Sequence, residues 1–170
     1  MSVTGAEALL ALVAAERLAE LWLAQRNTAA LLAAGGYEAA PGHYPVIVLL
    51  HAGWLAALWW LARDHPLQYG WLAMFLLLQG LRVWTLATLG RRWTTRIIIL
   101  PGAPLVAGGP YRFIRHPNYL VVVGEIACLP LALGAPIVAL VFSLANAAVL
   151  AVRIRAENAA LAGARVATGG

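Results

Sequence analysis

Apolar residues run along this chain in long blocks, interrupted at a few points by clusters of Gly, Pro, Arg and His. Counting stretches able to cross roughly 30 Å of hydrocarbon at about 1.5 Å per residue gives a polar-striped helix near Ala6–Gln25, then clear spans at Tyr44–Ala62 and Leu67–Leu89. The final apolar region, Tyr119–Val152, contains Pro130, Gly134 and Pro136, which predicts two helices turning at Gly134-Ala-Pro136 rather than one long one. Its first arm is short for a full crossing, so a tilted hairpin or a locally thinned bilayer is expected. The pattern therefore predicts an all-α integral membrane protein with about five transmembrane helices, the last two a helical hairpin. One domain is expected over 1–170, with N-terminal helices in 1–92 and a distinct motif-bearing region in 93–161.

Composition sharpens this reading. The 170 residues are 62% hydrophobic and only 11% charged, too little polar cover for a water-facing surface of this size. The formal charge of +5 comes from 12 arginines and no lysine, placed in short segments beside apolar runs. That placement suits the positive-inside bias and speaks against a nucleic-acid partner. With five crossings, Arg26, Arg91, Arg92, Arg96, Arg112, Arg115, Arg153, Arg155 and Arg165 share one side and Arg63 lies on the other. The loop at 90–118 is then cytoplasmic, the N-terminus is outside, and the expected location is a bacterial inner membrane. The first helix carries Glu7, Glu16, Arg17 and Glu20 without a basic leader, so it is expected to be retained rather than cleaved as a signal peptide. Cys128, the single cysteine, sits in an apolar run and reads as a buried inert thiol.

Three polar features stand out from this background. Glu16, Arg17, Glu20 and Asn27 fall at helical spacings, making one side of the first helix polar, and charge at this depth requires partners. Arg17 with Glu20, and Arg82 with a carboxylate, are candidate pairs, and the face reads either as a clamp between helices or as a substrate contact. The loop Gly109-Pro-Tyr-Arg-Phe-Ile-Arg-His-Pro-Asn-Tyr119 gathers cationic, titratable and aromatic side chains between apolar runs. Arg153 and Glu157 are four apart on the last helix and project together; taken alone, such a pair is an ordinary boundary ion pair. The histidines His43, His51, His65 and His116 lie in separate segments without zinc-type spacing, so no metal is expected.

Leu105-Val-Ala-Gly-Gly-Pro-Tyr111, Arg115-His-Pro-Asn-Tyr119 and Arg153-Ile-Arg-Ala-Glu157 together resemble the C-terminal signature of the isoprenylcysteine carboxyl methyltransferase family, integral membrane enzymes that use S-adenosylmethionine. The resemblance covers about residues 93–161. Further upstream, Glu16-Arg-Leu-Ala-Glu20, Arg26-Asn27, His43-Tyr-Pro45 and Leu50-His51, with Trp93-Thr-Thr-Arg96, resemble a bacterial branch associated with O-methylation of alkylpyrones or related phenolic lipids. Glu157-Asn158 stands where eukaryotic members carry Glu-Glu, and a shorter tail follows, which favours a free lipid over a prenylated protein as acceptor.

Carried over residue by residue, the resemblance implies a cofactor site of Ala103, Pro104, Leu105, Val106, Tyr111, His116, Pro117, Asn118, Tyr119 and Glu157, with Arg153 on the substrate. The implied reaction is in-line transfer of the sulfonium methyl to an oxygen of a lipophilic small molecule. Arg153 would orient a carboxylate or acidic pyrone enol that is already ionised. A plain phenol needs a base, for which His116 of the motif has a suitable intrinsic pKa. The competing readings are an NADPH-dependent membrane reductase, since sterol reductases share a related Arg-His-Pro-x-Tyr region, a phospholipid N-methyltransferase, and a non-catalytic scaffold binding membrane lipids. The oligomeric state is open.

Overall fold

In a computed structural model, which describes residues 3–167 (side chains of His43 and of residues 163–167, and hence of Arg165, fall outside the description), five helices carry the chain. They are α1 (Gly5–Ala33), α2 (Tyr44–Ala62), α3 (Tyr69–Leu89), α4 (Pro117–Ala132) and α5 (Pro136–Ala167). A two-stranded antiparallel ribbon pairs β1 (Tyr37–Glu38) with β2 (Ile98–Ile99), in register Tyr37 to Ile99 and Glu38 to Ile98. It ties the α1–α2 connection to the long α3–α4 connection.

Among the described residues, three helices are long and apolar enough to cross a membrane: Tyr44–Ala62, Tyr69–Arg92 and Pro136–Ala162. The α4 helix is apolar but has 16 residues, which at 1.5 Å per residue reaches only about 24 Å. With α1 long but charged, the structure is an all-α integral membrane protein. The hairpin turns where expected: Gly134 adopts φ +66°, a conformation that disfavours a side chain, and Pro136 opens α5.

Two helix ends differ from the sequence reading by more than a turn. α1 continues past Gln25 to Ala33, because Asn27 faces inward and Ala29–Ala33 supply strong helix formers. α5 continues past Val152 to Ala167, so Arg153 and Glu157 lie inside a helix rather than at its end.

The buried cluster draws on every helix: Ala6, Leu10 and Val13 of α1, Trp54, Leu58 and Ala62 of α2, Phe75 of α3, Ile126, Cys128 and Leu129 of α4, and Val138 of α5. In lipid such packing rests on close fit rather than on exclusion of water. Gly124 supplies that fit at the α3–α4 contact, since a Cβ there would collide with the Leu78 side chain.

The buried stripe of α1 runs Ala6, Leu10, Val13, Glu20, Ala24, Asn27, apolar in its first half and polar in its second. At the changeover stands a closed ring of charges. Arg82 of α3 donates from Nε and Nη2 to Glu20 and from Nη1 to Glu125 of α4 at 2.8 Å. Arg17 donates to Glu20 at 3.0 Å and to Glu125 at 3.2 Å, with Glu16 at 3.5 Å. Each guanidinium bridges both carboxylates, which is the arrangement a membrane interior demands of charge. The polar face of α1 therefore acts as a clamp to α3 and α4.

Candidate functional site

At the far end of the bundle from the apolar cluster, the α3–α4 connection folds over the helix ends. Residues Gly109–Arg112 form a short 3-10 turn with Pro110 buried. Gly109 has φ +55°, and a Cβ there would meet the Thr88 hydroxyl on α3, so only glycine lets the loop lie this close. Asn27 of α1 donates to the carbonyls of Gly90 at 3.2 Å and Trp93 at 2.8 Å, fixing the start of the same connection. Arg92 donates to the carbonyl of Pro104, and Arg96 to Glu38 at 2.8 Å while lying over the Tyr44 ring. The Glu38 carboxylate, which accepts this bond, holds the exposed Arg96 guanidinium more firmly protonated than usual.

His116 precedes α4, Pro117 occupies its first turn, and Tyr119 projects from that turn towards α5. The His116 ring stacks on Tyr119 at 5.2 Å between centroids and 24° between planes. The Tyr119 hydroxyl donates to the Glu157 carboxylate and accepts from Arg153 Nε at 3.0 Å, with the guanidinium 5.7 Å from the ring centroid. Tyr111 is close enough to feel Glu157: burial first and that negative charge second push its phenol up to about 12. Tyr111, His116, Tyr119, Arg153 and Glu157 thus form one constellation from three chain segments.

Arg153 and Glu157 make no salt bridge with each other or with any other described residue; each meets the same tyrosine hydroxyl instead. Arg153 is 9% exposed, and a guanidinium this buried without a carboxylate has capacity for an anion. Nearby, His116 Nε2 and Asn118 Oδ1 are buried with no hydrogen-bond partner. Such atoms are costly unless water or a ligand meets them. A donor or acceptor nitrogen, an amide oxygen, a carboxylate, a free guanidinium and stacked rings fit the mixed polar and aromatic surface of a nucleoside-bearing amino acid such as S-adenosylmethionine.

The segment Ala103–Val106 is less engaged. Pro104 and Leu105 are exposed, Ala103 and Val106 partly so, and among the described residues its one side-chain tether is the Arg92 bond to Pro104. The sequence reading missed Glu125, the partner of Arg82; it named Asn27 in the polar face of the first helix and His51 in Leu50-His51, but not Asn27 as a loop tether. An isolated Glu inside an apolar run was the available signal for Glu125.

Fold and site together define an integral membrane protein whose polar and aromatic constellation lies at its arginine-rich end. The chain belongs to the isoprenylcysteine carboxyl methyltransferase (ICMT) family, which matches residues 71–163, and is thereby a membrane methyltransferase. It is similar to the uncharacterized protein YpbQ of Bacillus subtilis, with 37% identity over 166 residues, covering 90% of this chain and 94% of that protein. An uncharacterized protein of Haemophilus influenzae is 26% identical over 157 residues, covering 89% and 91% respectively. No solved structure matches the chain significantly.

Proposed function

We propose that the protein is an S-adenosylmethionine-dependent O-methyltransferase acting on a lipophilic acceptor, either a carboxylate or the hydroxyl of an alkylpyrone or alkylphenol. The observation that carries this reading is the split pair: Arg153 and Glu157 share a helix face yet meet through Tyr119 rather than each other, leaving one free cation and one acceptor side by side. In this reading Glu157 and Tyr119 hold the cofactor's hydroxyl and ammonium groups, and His116 and Asn118 use their unpaired buried atoms on its polar edge. Tyr111 and Pro117 wall the site, and Ala103, Pro104, Leu105 and Val106 close over the ligand, held by Arg92. Arg153 holds the acceptor oxygen in line. When bound, S-adenosylmethionine supplies an electrophilic sulfonium methyl. Opposite charges cancel during transfer, so alignment at a partly dehydrated membrane boundary provides much of the acceleration.

The arginine-rich end faces the cytosol, where the cofactor is made, with five helices crossing a bacterial inner membrane. The exposed side chains of Arg26, Arg91, Arg112, Arg115 and Arg155 gather at this one end, which supports the orientation. Purified protein in detergent is expected to bind S-adenosylmethionine and its demethylated product by calorimetry, and to transfer labelled methyl to members of a panel of alkylpyrones, alkylresorcinols and prenylcysteine analogues. Saturable NADPH binding without response to either sulfur nucleotide would replace this reading with the reductase one; transfer to phospholipid amines alone would replace O- with N-methylation.

A further inference from the structure

His51 lies outside the matched residues 71–163, yet it heads the inward stripe of α2, followed at helical spacing by Trp54, Leu58 and Ala62, all buried. Its Nδ1 is 2.9 Å from the carbonyl oxygen of Ile47, one turn earlier. A carbonyl only accepts, so in the neutral ring Nδ1 carries the proton and Nε2 carries a lone pair. Among the described residues Nε2 has no hydrogen-bond partner. The Trp54 ring lies edge-on at 6.5 Å, and its buried Nε1 is also unpartnered.

Position relative to α5 gives this lone pair its meaning. Gly53 backs onto Phe142, and from there the antiparallel helices run together towards the arginine-rich end: His51 on α2, buried Asn146 and then Arg153 on the same side of α5. α5 packs on α2 and on the short turn Pro41–His43 just before it, so the Arg153 end of α5 lies beside the start of α2. Arg17 is already used by Glu16, Glu20 and Glu125, whereas Arg153 has no carboxylate. A proton acceptor therefore stands on the membrane side of the one buried guanidinium, among the described residues, that is left for an anion. A histidine bonded to the carbonyl one turn back is an ordinary helical feature; it satisfies one ring nitrogen and leaves the other without a structural task.

We infer that His51 is the general base on the acceptor side of the site, and that it lets the protein methylate un-ionised phenolic hydroxyls of alkyl lipids as well as acids that arrive ionised. The inference rests on the methyltransferase reading above and moves the base from His116 to His51. In the step, the acceptor O–H bond breaks and its proton passes to His51 Nε2. The oxygen's electron pair forms the new O–CH3 bond, and the pair of the breaking C–S bond stays on sulfur, giving a neutral thioether. The imidazolium then returns its proton to water.

The test compares the wild type with His51→Asn, whose amide can still donate to the Ile47 carbonyl but offers no basic nitrogen, in vesicles with two acceptors: a long-chain alkylresorcinol and an acidic long-chain alkylpyrone. The expected result is a loss of about a hundredfold or more on the resorcinol and about tenfold or less on the pyrone, the first figure being the usual contribution of a general base. A second readout needs no cofactor. In nitrogen-15 histidine spectra, the His51 Nε2 resonance should be that of an unprotonated nitrogen and should move when the alkylresorcinol is added. Equal losses on both acceptors in His51→Asn, or an unmutated protein that methylates the pyrone but not the resorcinol, would overturn the inference while leaving the methyltransferase reading intact. Absence of both adenosylmethionine binding and transfer to any acceptor would remove that reading and the inference with it.

Discussion

Replacing Arg82 with methionine perturbs the charge ring at its most buried cation. The side chain is 7% exposed and makes three of the ring's bonds, two to Glu20 and one to Glu125. Its loss leaves Glu20 and Glu125 to share Arg17, with Glu16 beside them. Breaking a buried pair from one side costs about 3–5 kcal/mol, and an uncompensated charge at the centre of a membrane helix costs a similar amount on the insertion scale. At about 1.4 kcal/mol per decade, the folded population should fall roughly a hundredfold to several thousandfold relative to the unfolded one. Removing Glu20 as well restores the balance, because Arg17 and Glu125 remain as a pair at 3.2 Å. The double variant Arg82→Met/Glu20→Met should therefore be more stable than Arg82→Met alone, despite carrying one more substitution. Denaturation of micelle-embedded protein by sodium dodecyl sulfate, followed by circular dichroism, measures both. If Arg82→Met stays within about 0.5 kcal/mol of wild type, as a surface change would, the ring does not hold α1 to α3 and α4. A double variant no better than the single would refute the coupling.

Two further predictions concern the site and its orientation. Glu157→Gln should weaken adenosylmethionine binding by about tenfold or more, whereas Arg153→Lys should keep that affinity within about twofold and depress turnover, since a lysine cannot reproduce the planar fork; identical effects on both quantities, read by calorimetry and labelled methyl transfer, would return the two residues to an ordinary ion pair. A cysteine at Gly108, where the backbone is exposed and a Cβ meets nothing, in a Cys128→Ala background should be labelled by an impermeant thiol reagent only after the cytoplasmic face is opened, and labelling of intact cells would invert the topology.

The helical membrane class was legible because it follows from local quantities. Apolar block length marks Tyr44–Ala62, which the structure reproduces residue for residue, and Gly134-Ala-Pro136 marks the hairpin through backbone chemistry alone. Helix ends were less legible. Arg26-Asn27-Thr28 looks like an exit from α1, but Asn27 spends its side chain on the Gly90 and Trp93 carbonyls, and the helix continues past it. The ribbon is two residues per strand, too short for any alternation to register; its pairing depends on the chain's path between helices. At the site, Tyr119, His116, Arg153 and Glu157 could be nominated from motif and spacing, but that Arg153 and Glu157 meet through a tyrosine is a matter of how α4 packs on α5. His51 was marked only as part of Leu50-His51 in the resemblance, since a single histidine in an apolar run gains chemical meaning only from what other helices place beside it.

These placements divide the molecule by task. Residues 71–163, the part matched to the family, contain the constellation proposed to hold the cofactor. The two preceding helices lie outside that match, yet they are built into it: Arg17 and Glu20 reach Glu125 and Arg82, Asn27 fixes the connection that leads to Ala103–Val106, and α2, which carries His51, packs on α5. The similarity to YpbQ, covering 90% of this chain, takes in these helices as well. A cofactor has the same shape whatever the acceptor, so the walls that meet it can be common to a family, while the walls that meet a lipid have to differ with the lipid. In the proposed reaction α1 and α2 are those second walls, held in register by the charge ring and able to differ in residues such as His51 without disturbing the Tyr119 constellation. Acceptor chemistry would then be set by helices that contribute nothing to the motif by which the family is recognised.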